Sequence, residues 1–388
     1  PDDIAQAGDT YRNLNEQIEF LSQAMRAVDT IAYPDGNIAP YGDCDTGVAL
    51  KRNFSKTDIL PAYGVAHLAG GTFDNQTVWN IGAIDTCGHT HYDRSSIQLY
   101  GFGAELLGDV KYVRPLGRKY ANDSTFSHNT VLVNGKDQPV MVEVVPNQNY
   151  GNEGHWFNGG NITLFADDGS GVSVSEVNND WAYDETTRYQ RMNILNTTDE
   201  TRPYAVDIFA VEGGSRHEYM LHSSTAFDST WDSDLAMAKM PGDRPLTEPG
   251  DEWKEFQFTI DARENYYPIF RNVSTAEATD GKYRVGFTKA DGDIGVNIHM
   301  AADEHQTVYV GESPTPYRGK ENPQTLDDVY KYYTPFLLAR REGADGLKSV
   351  FVSVIEPFQG EGHVKSVERL AAADGDPDHI ALRVTLDD

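Results

Sequence analysis

The segment Cys87-Gly88-His89-Thr90-His91-Tyr92-Asp93 gathers side chains that bind metals or move protons. It runs into Ser96-Ile97-Gln98-Leu99-Tyr100, a β-rich run, so the histidines are expected at or just before a strand. On a strand, residues two apart point to one face, and His89, His91 and Asp93 then project together. Two imidazoles converging on one point are a common beginning for a metal site. The same pattern also suits two histidines hydrogen-bonded within a polar core.

Two later residues can complete such a site. Asp109 follows Gly103-Ala104-Glu105-Leu106-Leu107-Gly108, and His128 stands just before Thr130–Asn134, another β-rich run. Two histidines and one carboxylate leave an open coordination position, as zinc sites often do. Taken singly, Asp109 reads as a turn residue and His128 as a surface histidine. Between them lies Lys111-Tyr112-Val113-Arg114-Pro115-Leu116-Gly117-Arg118-Lys119-Tyr120. Its basic residues are conspicuous in an acidic chain, and Arg114, Arg118 and Lys119 are candidates to receive a carboxylated or sulfated sugar. A solvated loop is the plainer reading. Tyr120 is a candidate proton donor, because a nearby cation or metal lowers a phenol's pKa from about 10. His217 and His222 are five apart, which does not share one strand face, and they read as structural or rim residues. No G-x-S-x-G elbow, P-loop, G-x-G-x-x-G or H-E-x-x-H is present.

The elements that must position these residues are mostly strands. Residues 12–31 read as an amphipathic helix on Leu14, Ile18, Leu21, Met25, Val28 and Ile31, stopped by Pro34-Asp35-Gly36. A second helix is expected near 57–69. From about residue 75, β-rich runs follow one another: Ser96–Tyr100, Thr130–Asn134, Val140–Val145, Asn161–Phe165, Val172–Val177, Tyr204–Val211, Glu218–His222, Glu255–Ile260, Tyr283–Thr288, Ile294–Met300, Thr307–Val310 and Ser349–Ile355. Asn134-Gly135, Asp168-Gly169, Gly213-Gly214 and Asp291-Gly292 supply turns. The fold class is therefore mainly β, with stacked antiparallel sheets preceded by a few helices. Residues 223–254 read as a long surface loop and 312–335 as a connector. The expected division is a helical segment at 1–72, a β-sandwich with the metal site at 73–330, and a carboxy-terminal sheet region at 331–388.

Composition narrows the partners. The chain has 388 residues, 39% of them hydrophobic, which is enough for a sizeable core. No run approaches the ~18 apolar residues of a membrane helix. Sixty acidic residues against 32 basic ones give a net charge of −28. Nucleic acid is an improbable partner for such a surface, and the charge suits a salty habitat. Cys44 and Cys87 are too few for a disulfide framework, though one bridge between them stays open. Pro1 is not an initiator residue and no signal peptide is visible, which fits a processed form or a piece of a longer chain.

The run Gly88 to Ser96, then Leu99-Tyr100-Gly101-Phe102-Gly103, Asp109, and His128-Asn129-Thr130-Val131 through Gln138 resembles the heparinase II/III-like polysaccharide lyases, with their related alginate and ulvan lyases. Asp207 to Gly214, His217-Glu218-Tyr219 with His222, and Phe351 to Phe358 fit as well. Gly42-Asp43-Cys44-Asp45-Thr46-Gly47 looks like the end of that family's helical toroid. The resemblance implies an α/α toroid followed by stacked sheets, with this chain holding only the toroid's last part. The missing helices then belong to a longer protein or come from elsewhere, as an amino-terminal toroid or a homo-oligomer. It implies β-elimination on an anionic uronic-acid polysaccharide, whether heparan-like, alginate, ulvan or glucuronan, by a secreted or periplasmic protein. It matches His91, Asp109 and His128 to the metal ligands, usually for zinc, with manganese or calcium as other divalent choices. His89 matches a histidine at the catalytic centre, and Tyr120, more loosely, a tyrosine near the substrate. A uronosyl C5-epimerase and a non-catalytic carbohydrate-binding module are the alternative readings.

Overall fold

The computed structural model describes residues 31–37, 39, 57–61, 64–71, 77–82, 91–111, 124–138, 142–143, 155–156, 160–243, 245–246, 267–319, 325–371 and 379–387. The expected helix over 12–31, and the runs around Val140–Val145 and Glu255–Ile260, lie largely or wholly outside them.

The strands in chain order are β1 (Asp58–Leu60), β2 (Val65–Gly70), β3 (Thr77–Gly82), β4 (Ser96–Gly101), β5 (Ala104–Leu107), β6 (Val131–Val133), β7 (Val142–Glu143), β8 (His155–Trp156), β9 (Asn161–Asp167), β10 (Val172–Asn178), β11 (Thr186–Asn196) and β12 (Tyr204–Gly213). There follow β13 (Arg216–His222), β14 (Ser229–Ser233), β15 (Ala238–Lys239), β16 (Arg271–Ala278), β17 (Lys282–Lys289), β18 (Ile294–Ala301), β19 (Gln306–Pro314), β20 (Tyr333–Glu342), β21 (Lys348–Gln359), β22 (Val364–Leu370) and β23 (Ala381–Leu386). Every described pairing is antiparallel.

Three sheets make the body. One runs β1-β2-β3-β4-β5, one runs β14-β17-β18-β21-β12-β11-β10-β9, and one runs β15-β16-β19-β20-β13-β6. The eight-stranded sheet alternates half-exposed and buried residues along β10, β11 and most of β12, so one of its faces meets the core. Phe209 and Val211 from that face pack in one cluster with Tyr219, Leu221, Val308, Val310 and Leu337 of the six-stranded sheet. Trp79, Ile97 and Leu99 of the five-stranded sheet join the same cluster. The six-stranded sheet is buried on both faces, because Leu132, Met220, Phe336 and Leu338 pack on its other side against Phe126, Tyr267 and Phe270. That explains the unbroken apolar run Phe336-Leu337-Leu338-Ala339 in β20. Each such side chain contributes ~1.5–3 kcal/mol by leaving water.

Several expectations need correction. Residues 57–69 form the hairpin β1–β2 rather than a helix. Pro61 begins the connection and Gly64, at φ 74°, ends it with its N–H on Leu60 O at 2.8 Å. A fixed proline φ and a left-handed glycine close a turn and break a helix. The 1–72 segment therefore holds sheet as well. Residues 223–254 contain β14 and β15, which are edge strands whose polar, exposed residues hide the pattern. The 312–335 stretch ends β19, forms one-turn helices at Pro316–Gly319 and Leu326–Val329, and begins β20. Among the described residues of 331–388, β20 and β21 sit inside the two large sheets, and β22–β23 pair as a sheet of their own.

Candidate metal centre

Three chain segments meet where β4, β5 and β6 come together. His91 and Asp93 lie just before β4, Asp109 two residues after β5, and His128 between a 3-10 turn at Thr125–Ser127 and β6. Each segment is fixed by its own backbone. Ser95 takes φ 57°, and Ser96 N–H closes a turn onto Asp93 O at 2.8 Å. Ser124 caps the 3-10 turn by accepting from Phe126 N–H. Beyond β6, Asn134 and Gly135 take φ 56° and 63°, the paired left-handed conformation of a tight hairpin turn.

Asn129 ties the segments together. Its Nδ2 donates to Ile97 O at 2.9 Å and to Gly108 O at 3.0 Å, and its Oδ1 accepts from His222 N–H at 2.6 Å. Ile97 belongs to the strand after His91, and Gly108 precedes Asp109. A second tie comes from β11, where the fully buried Arg191 donates from Nη1 to Ser95 O at 2.7 Å and Asn129 O at 2.6 Å.

The geometry at the centre is close. His128 Nδ1 lies 2.7 Å from Asp109 Oδ2, and His91 Nδ1 lies 3.4 Å from Asp109 Oδ1. The two imidazoles stand 5.2 Å apart at 33°. His91, Asp109 and His128 are buried and Asp93 is half-buried. One ligand atom from each of the four lies within 4.8 Å of the others. Burial pushes the Asp109 carboxyl up, but the charge and hydrogen bonds of His128 and His91 outweigh it and hold it well below the usual carboxylate range. His128 Nε2 is buried without a hydrogen-bond partner, which is costly unless something else engages it. Two imidazoles and two carboxylates, one imidazole nitrogen orphaned, fit a divalent cation of the zinc type.

The structure brings His91, Asp109 and His128 together, with Asp93 beside them. His89, Tyr120, Arg114, Arg118, Lys119, Cys44 and Cys87 lie outside the described residues. His217 is structural: its Nδ1 meets Ser349 Oγ at 2.7 Å and its Nε2 meets Gly213 O at 2.6 Å. His222 differs, since it lies buried behind the centre, where burial and then the charge of His128 push its imidazole down to about 3. Asn129 and Arg191 were not legible as site residues. The only hint was the adjacency of Asn129 to His128.

The family model described as Heparinase II/III-like, C-terminal, matches residues 73–293, more than half of the chain and all four ligand candidates. The chain belongs to the heparinase II/III-like family. Its fold agrees with that of solved relatives. The heparan sulfate lyase HepC from Pedobacter heparinus superposes with a TM-score of 0.61 at 14% identity, over 97% of this chain and 55% of that one. A heparinase III with methylated lysines gives 0.60 at 12% identity, over 95% of this chain and 51% of its own. A further heparinase III gives 0.56 at 11% identity, over 95% and 54%. Likeness at such identity is one of fold. This heparinase II/III-like chain spans about half the length of those structures. No curated protein matches it. Among the described residues, no helix is long and apolar enough to cross a membrane.

Proposed function

We propose that this chain is the sandwich portion of a polysaccharide lyase that cleaves a uronic-acid polymer by β-elimination outside the cytoplasm. The observation that carries this reading is the convergence of His91, Asp93, Asp109 and His128 in a heparinase II/III-like sandwich. The reaction removes the C5 proton of a uronate, forms the 4,5 double bond and breaks the C4–O bond, and the departing oxygen takes up a proton. His89 is the proposed base, because a neutral imidazole with a reference pKa near 6.5 suits proton removal near neutral pH. Tyr120 is the proposed donor to the departing oxygen. Arg114, Arg118 and Lys119 are proposed to hold anionic groups of the sugar, and charge developing on the reacting carboxylate needs such stabilisation.

His91, Asp93, Asp109 and His128 would hold the cation, proposed to be zinc, with manganese or calcium as the alternatives. When bound it supplies a fixed positive charge that draws the ligand-bearing segments together. His91 then anchors the chain two residues beyond His89, and Asn129 with Arg191 holds that anchor to the sandwich. A structural cation is favoured because the donor set closes with four protein ligands, which leaves no open position.

The test is a panel of heparan sulfate, alginate, ulvan and glucuronan, assayed for a new double bond by its ultraviolet absorbance. The expected result is unsaturated product from one of them, lost in His89→Ala while bound metal stays constant. Binding without any double bond, or a changed C5 configuration without one, would replace this reading with a binding module or an epimerase.

A further inference from the structure

A cavity of about 400 Å³ opens between the turn at Tyr33–Asn37, the β4–β5 hairpin and the ends of β17 and β18. That is room for a sugar unit with its water. One wall is the stacked pair Tyr33 and Tyr100, with rings 4.8 Å apart at 25°. Tyr33 Oη donates to Gln98 Oε1 at 3.0 Å, and the Tyr100 hydroxyl pairs with Asp35, so both rings are held in place. Phe227, half-buried, also lines the cavity, and Lys289 Nζ lies 5.6 Å from its ring centre and 3.3 Å from Asp291 Oδ1. Lys111 lines it as well, with its Nζ 3.7 Å from Glu105 Oε2. Lys111 takes φ 59°, and its backbone N–H donates to Asp109 Oδ1 at 3.2 Å.

The lining is thus linked to Asp109 of the candidate metal centre. Thr225 Oγ1 stands 3.1 Å from both Glu105 Oε1 and Asp109 O. The basic run that begins at Lys111 starts inside the cavity.

The lining chemistry is an aromatic ring beside a lysine, a second lysine, two phenols and two carboxylates. An aromatic face packs on the C–H face of a pyranose, phenols and carboxylates engage hydroxyls, and an ammonium takes a carboxylate. In a chain carrying −28, Lys111 and Lys289 offset Glu105 and Asp35 in the lining, so the cavity is locally balanced where the surface as a whole is acidic.

We infer that this cavity is a binding subsite for a uronate unit, with Lys289 and Lys111 facing the carboxylate and Phe227 facing the ring. It rests on the uronate reading above and adds a recognition site beside the centre.

The experiment compares a β-linked tetraglucuronate with cellotetraose, the same backbone without carboxylates, by titration calorimetry on this chain. Lys289→Glu removes one of the two subsite cations and leaves Lys111. Lys282→Glu makes the same charge change at the other end of β17, where Lys282 pairs with Asp303 on the surface. The expected result is that tetraglucuronate binds, cellotetraose does not, and Lys289→Glu weakens binding about tenfold while Lys282→Glu stays within about twofold. Equal binding of the two sugars, equal loss in the two variants, or no binding to the wild type overturns the subsite. A lyase assay separates the two readings. Double-bond formation with an unchanged KM in Lys289→Glu sinks the subsite and keeps the lyase, while lysine-dependent binding with no double bond on any polymer does the reverse.

Discussion

Arg191 and Asp207 form a two-pronged pair inside the sandwich, with Nε on Oδ1 at 2.8 Å and Nη2 on Oδ2 at 2.7 Å. Both side chains are fully buried. Asn193 Nδ2 and Tyr219 Oη also donate to Asp207, at 2.8 Å and 2.6 Å. The pair therefore leaves Arg191 Nη1 free of its carboxylate and aimed at Ser95 O and Asn129 O. A charge pair in the core of the eight-stranded sheet is thereby wired to the segments that carry His91, Asp93 and His128.

Breaking that pair is expected to be costly. Arg191→Met leaves Asp207 buried and unpaired, which costs ~3–5 kcal/mol. Arg191→Lys is expected to recover little, because one ammonium cannot reach both carboxylate oxygens and both carbonyls. Urea unfolding of the variants checks this, and a loss below about 1 kcal/mol would remove the pair from the stability argument.

Asn129 is expected to govern metal affinity more than its exposure or sequence would imply. Asn129→Asp keeps the size but replaces two donors with an acceptor facing Ile97 O and Gly108 O. The expected loss is ~10–100-fold in metal affinity, as for other groups that orient ligands from behind. Competition with a chelator of known affinity measures it, and an unchanged affinity would leave Asn129 a purely local tie.

These two residues also mark where reading the sequence stopped. The grouping of His91, Asp109 and His128 was legible because His-x-His before an alternating run and a histidine before the next strand carry a type and a spacing. Asp93 was legible as a co-facing group through the same period of two. The β11 strand was not, since its inward residues Tyr189, Arg191, Asn193 and Leu195 are half polar and show no hydrophobic alternation. Its polar interior makes sense only once Asp207 from β12 is opposite. β1–β2 was misread for a related reason: three-residue β1 is too short to set a period, and the turn residues Pro61 and Gly64 carried the information instead. Hairpins with a local signal, such as Asn134-Gly135, were legible because the turn alone defines them.

The four candidate ligands should fall into ranks. His91→Ala, His128→Ala and Asp109→Asn are expected to lose the metal and to lower the melting temperature with it, because metal binding adds to folding free energy. Asp93→Asn is expected to weaken binding without abolishing it, since Asp93 is half-buried and the other three side chains are buried. Metal content after gel filtration, with melting curves with and without chelator, reads both effects. Full stoichiometry in His91→Ala would remove that residue from the set.

Stability should fall towards acid in two windows. Burial pushes the His217 imidazole down to about 4, against ~6.5 when unfolded. The unfolded chain then binds the extra proton first, so stability is lost as pH drops from ~6.5 towards 4. Glu356 acts lower. Burial raises its carboxyl, but hydrogen bonds from His299 and Asn297 outweigh that and hold it below the usual value. It also accepts from the backbone N–H groups of His363 and Val364, which tie β22 to β21. Its contribution is present above the unfolded glutamate pKa of ~4.3 and is lost as pH falls through the lower folded value. Melting temperature against pH is expected to lose part of its slope between ~6.5 and 4 in His217→Gln, with the buried His222 supplying the rest of that window, and to change only below ~4.5 in Glu356→Gln. A wild-type slope that survives both substitutions in both windows would mean that other groups set the acid limit.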